Sequence, residues 1–132
     1  MKYVLMMHTP RGSSDYQHPA WTPEDWEAHL AHFGRLNAEL VERGEMVGVV
    51  ALTPPSQATL VRAGGPGMPV ETDGPFPETK EFLAGYWMVD VESVERAYEI
   101  AGIASAAPGP GGTPLRMPIE VRQLMGTTAP GL

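Results

Sequence analysis

Four histidines, one aspartate set in a tight bend and an acid and base on one strand are the side chains of this sequence best suited to moving a proton or gripping an anion. His29 lies where apolar residues recur at helical spacing. With Phe33 at the centre of the apolar arc, 100° per residue places His29 about 40° away, between Trp26 and Leu36, and His32 about 100° off at the edge. His29 is therefore expected to face inward, where a carboxylate could orient it for acid–base work. Asp73-Gly74 is a strong turn dipeptide and Pro75 fixes its own φ. The bend can hold the Asp73 carboxylate rigidly at the rim of a sheet, with Phe76 excluding water, or it can serve as a structural turn alone.

Three further positions are candidates for substrate contact. His8 closes the first apolar run, at a strand end where site residues gather, and could equally be an exposed terminus. Glu120 and Arg122 share one face of the last strand and could pair with each other or fix an anionic ligand, which makes Arg122 a candidate binding residue. Phe76 is the third. His18 acts only if the loop that carries it folds over a pocket.

Several chemistries are excluded. The chain has no cysteine, hence no disulfide, no thiolate nucleophile and no cysteine-based zinc site. His29 and His32 stand at i, i+3 without the acidic neighbour of HExxH, so no metal is expected. No GxGxxG, P-loop or GxSxG occurs, and Gly64-Gly65-Pro66-Gly67 lacks the lysine and helix that cradle phosphate, so no nucleotide or other cofactor is expected.

The elements that must position these residues follow from pattern. Lys2 to His8 reads as a central strand and Thr9 to Trp21, broken by Pro10, Gly12 and Pro19, as a long loop of the kind that forms lids. Thr22 supplies a capping hydroxyl, Pro23 the first helical position, and Glu24 and Asp25 the charge that suits the helix start. Trp26, Leu30, Phe33, Leu36, Asn37, Leu40 and Val41 follow at helical spacing until Gly44, so helix one spans about Pro23 to Arg43. Val47 to Leu52 is a buried strand. Ala58 to Ala63 and Met68 to Thr72 make a hairpin around the Gly-Pro-rich link. In the strand Leu83 to Val91, Trp87 and Val89 point one way and Tyr86, Met88 and Asp90 the other. Glu92 to Ser105 is a helix with a stripe of Val94, Ala97, Tyr98, Ala101 and Ala104, Ala106 to Pro118 a loop, and Ile119 to Met125 the closing strand.

With each helix between strands, the fold class expected is α+β, a ferredoxin-like split βαβ with an antiparallel sheet and an added β-hairpin. One domain over 1–126 with a tail at 127–132 suits a chain of 132 residues that is 42% hydrophobic. The sheet face opposite the helices has nothing in the chain to cover it, which predicts a homodimer packed face to face. A formal net charge of -7 with nine basic residues argues against nucleic acid. The opening apolar run is too short for a signal core or a membrane span, so a cytoplasmic protein is expected.

The run Val70-Glu71-Thr72-Asp73-Gly74-Pro75-Phe76-Pro77-Glu78-Thr79-Lys80-Glu81 resembles the signature of the DGPF-motif branch of the YCII-related family. The opening Met-Lys-Tyr strand, Leu83-Ala84-Gly85-Tyr86 and Glu120-Val121-Arg122 fit the same family at the same places. The resemblance implies a ferredoxin-like subunit and a dimeric α+β barrel, whose relatives include muconolactone isomerases and cofactor-free monooxygenases. It also implies a histidine and aspartate acid–base pair, roles that His29 and Asp73 would fill. The chain departs from the pattern in its longer Thr9 to Trp21 loop, in the Pro-Gly-Pro-Gly-Gly segment, and at Gln123, where the family commonly has proline. Two functions are expected: a metal-free isomerase or lyase-like enzyme acting on a small molecule, or a non-catalytic metabolite-binding or regulatory module.

Overall fold

Thr22 starts the first helix as the sequence predicts: its side chain accepts from the Asp25 backbone N–H while the Asp25 carboxylate accepts from the Thr22 N–H. In this computed structural model, which describes residues 1–10, 21–74 and 81–126, helix α1 spans Pro23–Glu42. It stops at Gly44, whose φ of 70° is a backbone conformation glycine tolerates. There Glu45 N–H donates to Leu40 O at 2.9 Å and Gly44 N–H to Val41 O at 3.1 Å, the paired bonds of a Schellman ending.

The strands are β1 Lys2–Pro10, β2 Met46–Ala51, β3 Leu60–Arg62, β4 Glu71–Asp73, β5 Glu81–Asp90 and β6 Ile119–Gln123, with helix α2 at Val94–Ser105. Four of them form one antiparallel sheet in the order β2-β5-β1-β6, the arrangement of a ferredoxin-like α+β fold. Among the described residues, β3 and β4 pair with each other alone, as a separate two-stranded sheet. The strand ends move by a few residues from the expected ones because edge pairing, and not residue type, sets them.

Register sorts the side chains. Val49, Trp87, Leu5 and Val121 form one cross-strand row, and Val50, Tyr86, Met6 and Glu120 the next. Alternate rows point to opposite faces. The helix-side face supplies Tyr3, Leu5, Trp87 and Val89 to a core that α1 completes with Leu36 and Leu40 and α2 with Ala97, Ile100, Ala101 and Ala104. The division of β5 into a Trp87–Val89 face and a Tyr86–Met88 face is as expected.

Two helix readings need correction. Leu30 and Val41 are 64% and 65% exposed, because α1 rests on the sheet through a narrower arc than the full apolar stripe. Tyr98 is also exposed, and Ile100 takes the buried place on α2. The segment after α2 is more than a loop. Pro108 bridges to Pro114, Ala107 is fully buried, and Ser105 Oγ donates to Met117 O at 2.6 Å. Most of the 9–21 loop with its lid reading, His18, Phe76 and the 127–132 tail lie outside the described residues.

Candidate functional site

Strand β1 changes register between Met7 and His8, so that Met7 faces Gly85 and His8 faces Leu83. The extra residue is Ala84 of β5, while β1 runs on without interruption, so His8 keeps the sheet face of Met6, whose partner on β6 is Glu120. The result is a pair: His8 Nε2 lies 3.1 Å from Oε1 of Glu120 on β6, across a sequence separation of 112 residues. A carboxylate accepts and never donates when ionised, so it holds the imidazole proton on Nε2 and leaves the Nδ1 lone pair as the basic atom of neutral His8. Nδ1 makes no hydrogen bond among the described residues. Both side chains are reachable, at 26% and 46% exposure. Arg122 stands beyond Glu120 with its nearest guanidinium nitrogen 3.9 Å from Oε2.

The cross-strand partner of His8 leads to a pocket. Leu83, with Leu52, Pro54, Pro55, Ala58 and Phe82, lines a mainly apolar pocket of about 330 Å³ at the end of β2 and β5. That is the lower end of the range for small-ligand sites. Ala58 joins it to the hairpin, since Leu60, two residues on, is the β-partner of Asp73. Asp73 is exposed, and its Oδ1 accepts from the Gly74 N–H at 3.0 Å. The rest of the expected bend, Pro75-Phe76, lies outside the described residues.

His29 is buried, as its helical angle predicts, at 9% exposure. Its Nδ1–H donates to Pro108 O at 3.0 Å, and Trp21, Trp26 and Phe33 meet its ring edge to face with centroids 4.8 to 5.7 Å away. His32, one turn on, donates from Nε2 to Ile103 O at 2.7 Å, in the last turn of α2 where unpaired carbonyls favour a donor. The two histidines thus clasp α1 to the end of α2 and to the following segment. Asp25 adds to the clasp by accepting from Gly111 N–H at 3.2 Å. Among the described residues, the structure brings His8 together with Glu120 and sets Arg122 beside that carboxylate, whereas His29 and Asp73 hold to Pro108 and Gly74 respectively.

A larger cleft, of about 540 Å³, opens between the end of α1 and the start of α2. Reasoning from sequence missed its centre. Arg96 donates from Nε to Glu45 Oε2 at 3.0 Å and from Nη2 to Oε1 at 2.9 Å, with Glu99 and Glu39 at 3.2 and 3.5 Å. The Arg96 hydrogen bond is the main reason Glu45 sits below the ordinary carboxylate range, and it raises Arg96 in turn. With its charges mutually satisfied, this cluster locks helix to helix. Its only signal in the sequence was a lone acid wedged between the Gly44 cap and an apolar strand.

No group of three or more histidine or acidic side chains suited to a metal occurs among the described residues, and no helix there is long and apolar enough to cross a membrane. The model of the YCII-related domain matches residues 1–108 of the chain. An uncharacterized protein of Rhizobium meliloti (strain 1021) is 32% identical over 98 residues, covering 74% of this chain and 78% of the relative.

Proposed function

The chain belongs to the YCII-related family, and from that premise we propose that it is a metal-free and cofactor-free acid–base enzyme of small organic molecules, with the His8–Glu120 dyad as its catalytic pair. The observation that carries this reading is the 3.1 Å contact between His8 Nε2 and the Glu120 carboxylate, while Leu83, the cross-strand partner of His8, lines an apolar pocket. A base so arranged suits removal of a proton next to a carbonyl, as in isomerisation or lactone chemistry. The pocket would take the apolar body of the substrate, Asp73 would act from the hairpin at its rim, and Arg122 and Phe76 would contact the substrate. The DGPF run, read as that branch's motif, gives Asp73 its place here.

The His29–Asp73 pair implied by the resemblance is the second candidate, and it is the weaker because Nδ1 of His29 already serves the Pro108 carbonyl. A dimeric α+β barrel in the cytoplasm completes the proposal: a second copy would shelter the sheet face that bears Met6, Tyr86 and Met88 and would enclose His8. Lack of cysteine suits a reducing compartment.

The test is a thermal-shift screen of small carboxylates and lactones, followed by turnover assays on the compounds that bind. Ligand at a hundredfold excess over Kd stabilises by about 2.7 kcal/mol, a readable shift. His8→Asn and Glu120→Gln are expected to keep binding and lose turnover by about a hundredfold or more, the usual scale of general-base loss. Full turnover in both variants would end the dyad's role, and its loss in His29→Gln would move the chemistry there. Binding with no conversion of any compound would favour the non-catalytic module.

A further inference from the structure

Removing a proton next to a carbonyl puts negative charge on the carbonyl oxygen, and a base alone does nothing to hold that charge. Beside the Glu120 carboxylate the charge is costlier still. A site built on His8 and Glu120 therefore calls for a hydrogen-bond donor on the same surface. Register says where one stands. Met6 of β1 has two cross-strand partners, Glu120 on β6 and Tyr86 on β5, so the three share one row and one face, and His8, two residues beyond Met6, shares that face.

Tyr86 is the diagonal neighbour of His8 across the β1–β5 pair, a spacing of about 7–8 Å that aromatic and long side chains can span. It also borders the apolar pocket. Leu83, the partner of His8, and Leu52, two residues beyond Tyr86's own partner Val50, both belong to the pocket wall. The phenol is half-buried, a setting in which a tyrosine hydroxyl usually has a partner, yet among the described residues it makes no hydrogen bond. The other donors of this face stand further off. Arg122 is paired with Val4, which leaves Glu120 between it and His8, and Lys2 is two residues further from His8 than Val4.

We propose that Tyr86 is a second catalytic group of this face: its hydroxyl donates to the substrate's carbonyl oxygen while His8 takes the neighbouring C–H proton. The proposal rests on the acid–base reading above and adds which atom of the substrate is held, confining the substrates to enolisable ketones, esters and lactones. As the C–H bond breaks, its electron pair forms the C=C bond, the carbonyl π pair moves to oxygen, and that oxygen keeps its charge against the Tyr86 O–H. Return of the proton from His8 to carbon, at the same position or at the far end of a conjugated system, restores the carbonyl. The step needs no oxidant or reductant.

The probe is 4-nitrophenolate, an apolar ring bearing the kind of oxyanion an enolate carries, with nitrobenzene as the same ring without it. Tyr86→Phe removes one oxygen atom and keeps the ring. The expected result, by titration calorimetry on the full chain, is nitrophenolate affinity at least tenfold weaker in Tyr86→Phe than in the parent, with nitrobenzene affinity unchanged. Undiminished nitrophenolate affinity, an equal loss for nitrobenzene, or no binding of nitrophenolate by the parent overturns the proposal. Turnover separates it from the reading it rests on. With a compound from the screen, Tyr86→Phe is expected to lower kcat about a hundredfold and to leave KM nearly unchanged, the signature of a donor needed when charge develops. Turnover lost in His8→Asn and kept in Tyr86→Phe overturns Tyr86 and leaves the dyad standing. Full turnover in His8→Asn overturns the dyad instead, and the nitrophenolate titration then decides Tyr86 by itself.

Discussion

Arg96 of α2 grips Glu45, the residue just before β2, through two nitrogens at 3.0 and 2.9 Å, and the pair is shielded to 13% and 11% exposure. Removing one partner of a buried, hydrogen-bonded ion pair leaves the other charge uncompensated and costs roughly 3–5 kcal/mol. Arg96 keeps Glu99 and Glu39, so the lower end applies. Glu45→Gln is expected to lose about 3 kcal/mol in urea denaturation, and Arg96→Met, which removes the cation but leaves Glu45 beside Arg43, a comparable amount. Losses under 0.5 kcal/mol in both would show that the pair contributes little.

The same contact sets an acid limb. Glu45 is held below its ordinary value of 4.5, chiefly by the Arg96 hydrogen bond, so between the two values the unfolded chain binds more protons. Its contribution is therefore complete above about pH 4.5 and disappears as pH falls through the folded value. Asp25, held down by the Thr22 backbone N–H and then by Gly111, acts in the same direction. Stability measured from pH 7 to pH 3 should fall below 4.5 in the parent chain and fall less steeply in Glu45→Gln. Equal slopes in the two proteins would contradict the assignment.

Trp87 Nε1 donates to Asn37 Oδ1 at 2.7 Å, joining β5, an inner strand of the sheet, to α1. Trp87 is 4% exposed, so its N–H has little access to water. Asn37→Leu should strand that donor at a cost of about 1–3 kcal/mol, with a change in Trp87 fluorescence. An unchanged midpoint and spectrum would mean that water or another acceptor replaces the amide.

How much of this could be read in the sequence depends on the range of the interaction. The α1 start at Thr22-Pro23 and its stop at Gly44 are local chemistry, and both stand where the residues put them. The two faces of β5 and the inward angle of His29 follow from periodicity alone. Leu30 and Val41 misled because period reports which residues align and not how wide an arc the sheet covers. The His8–Glu120 dyad depends on β1 pairing with β6 across a separation of 112 residues, which leaves no local trace. Asn37 sat among the apolar positions of α1 as an apparent exception, and Trp87 supplies its reason.

Gly85 tests the alignment on which the pocket depends. It lies on β5 opposite Ala51 of β2 and Met7 of β1, next to Ala84, where the β1–β5 register shifts. A methyl group at this position would fall within contact distance of the Val50 carbonyl oxygen, which is backbone and cannot rotate away. Gly85→Ala must therefore push β2 from β5 or shift their register, and overpacking of this kind costs about 1–3 kcal/mol. Because Leu52, Pro54 and Pro55 continue from β2 into the pocket wall, the displacement reaches the site. The expected outcome is a lowered midpoint together with weaker binding of whichever compound the screen identifies. A variant with parental stability and undiminished affinity would show that the β2 end is free to yield, and that the pocket does not take its shape from this strand pair.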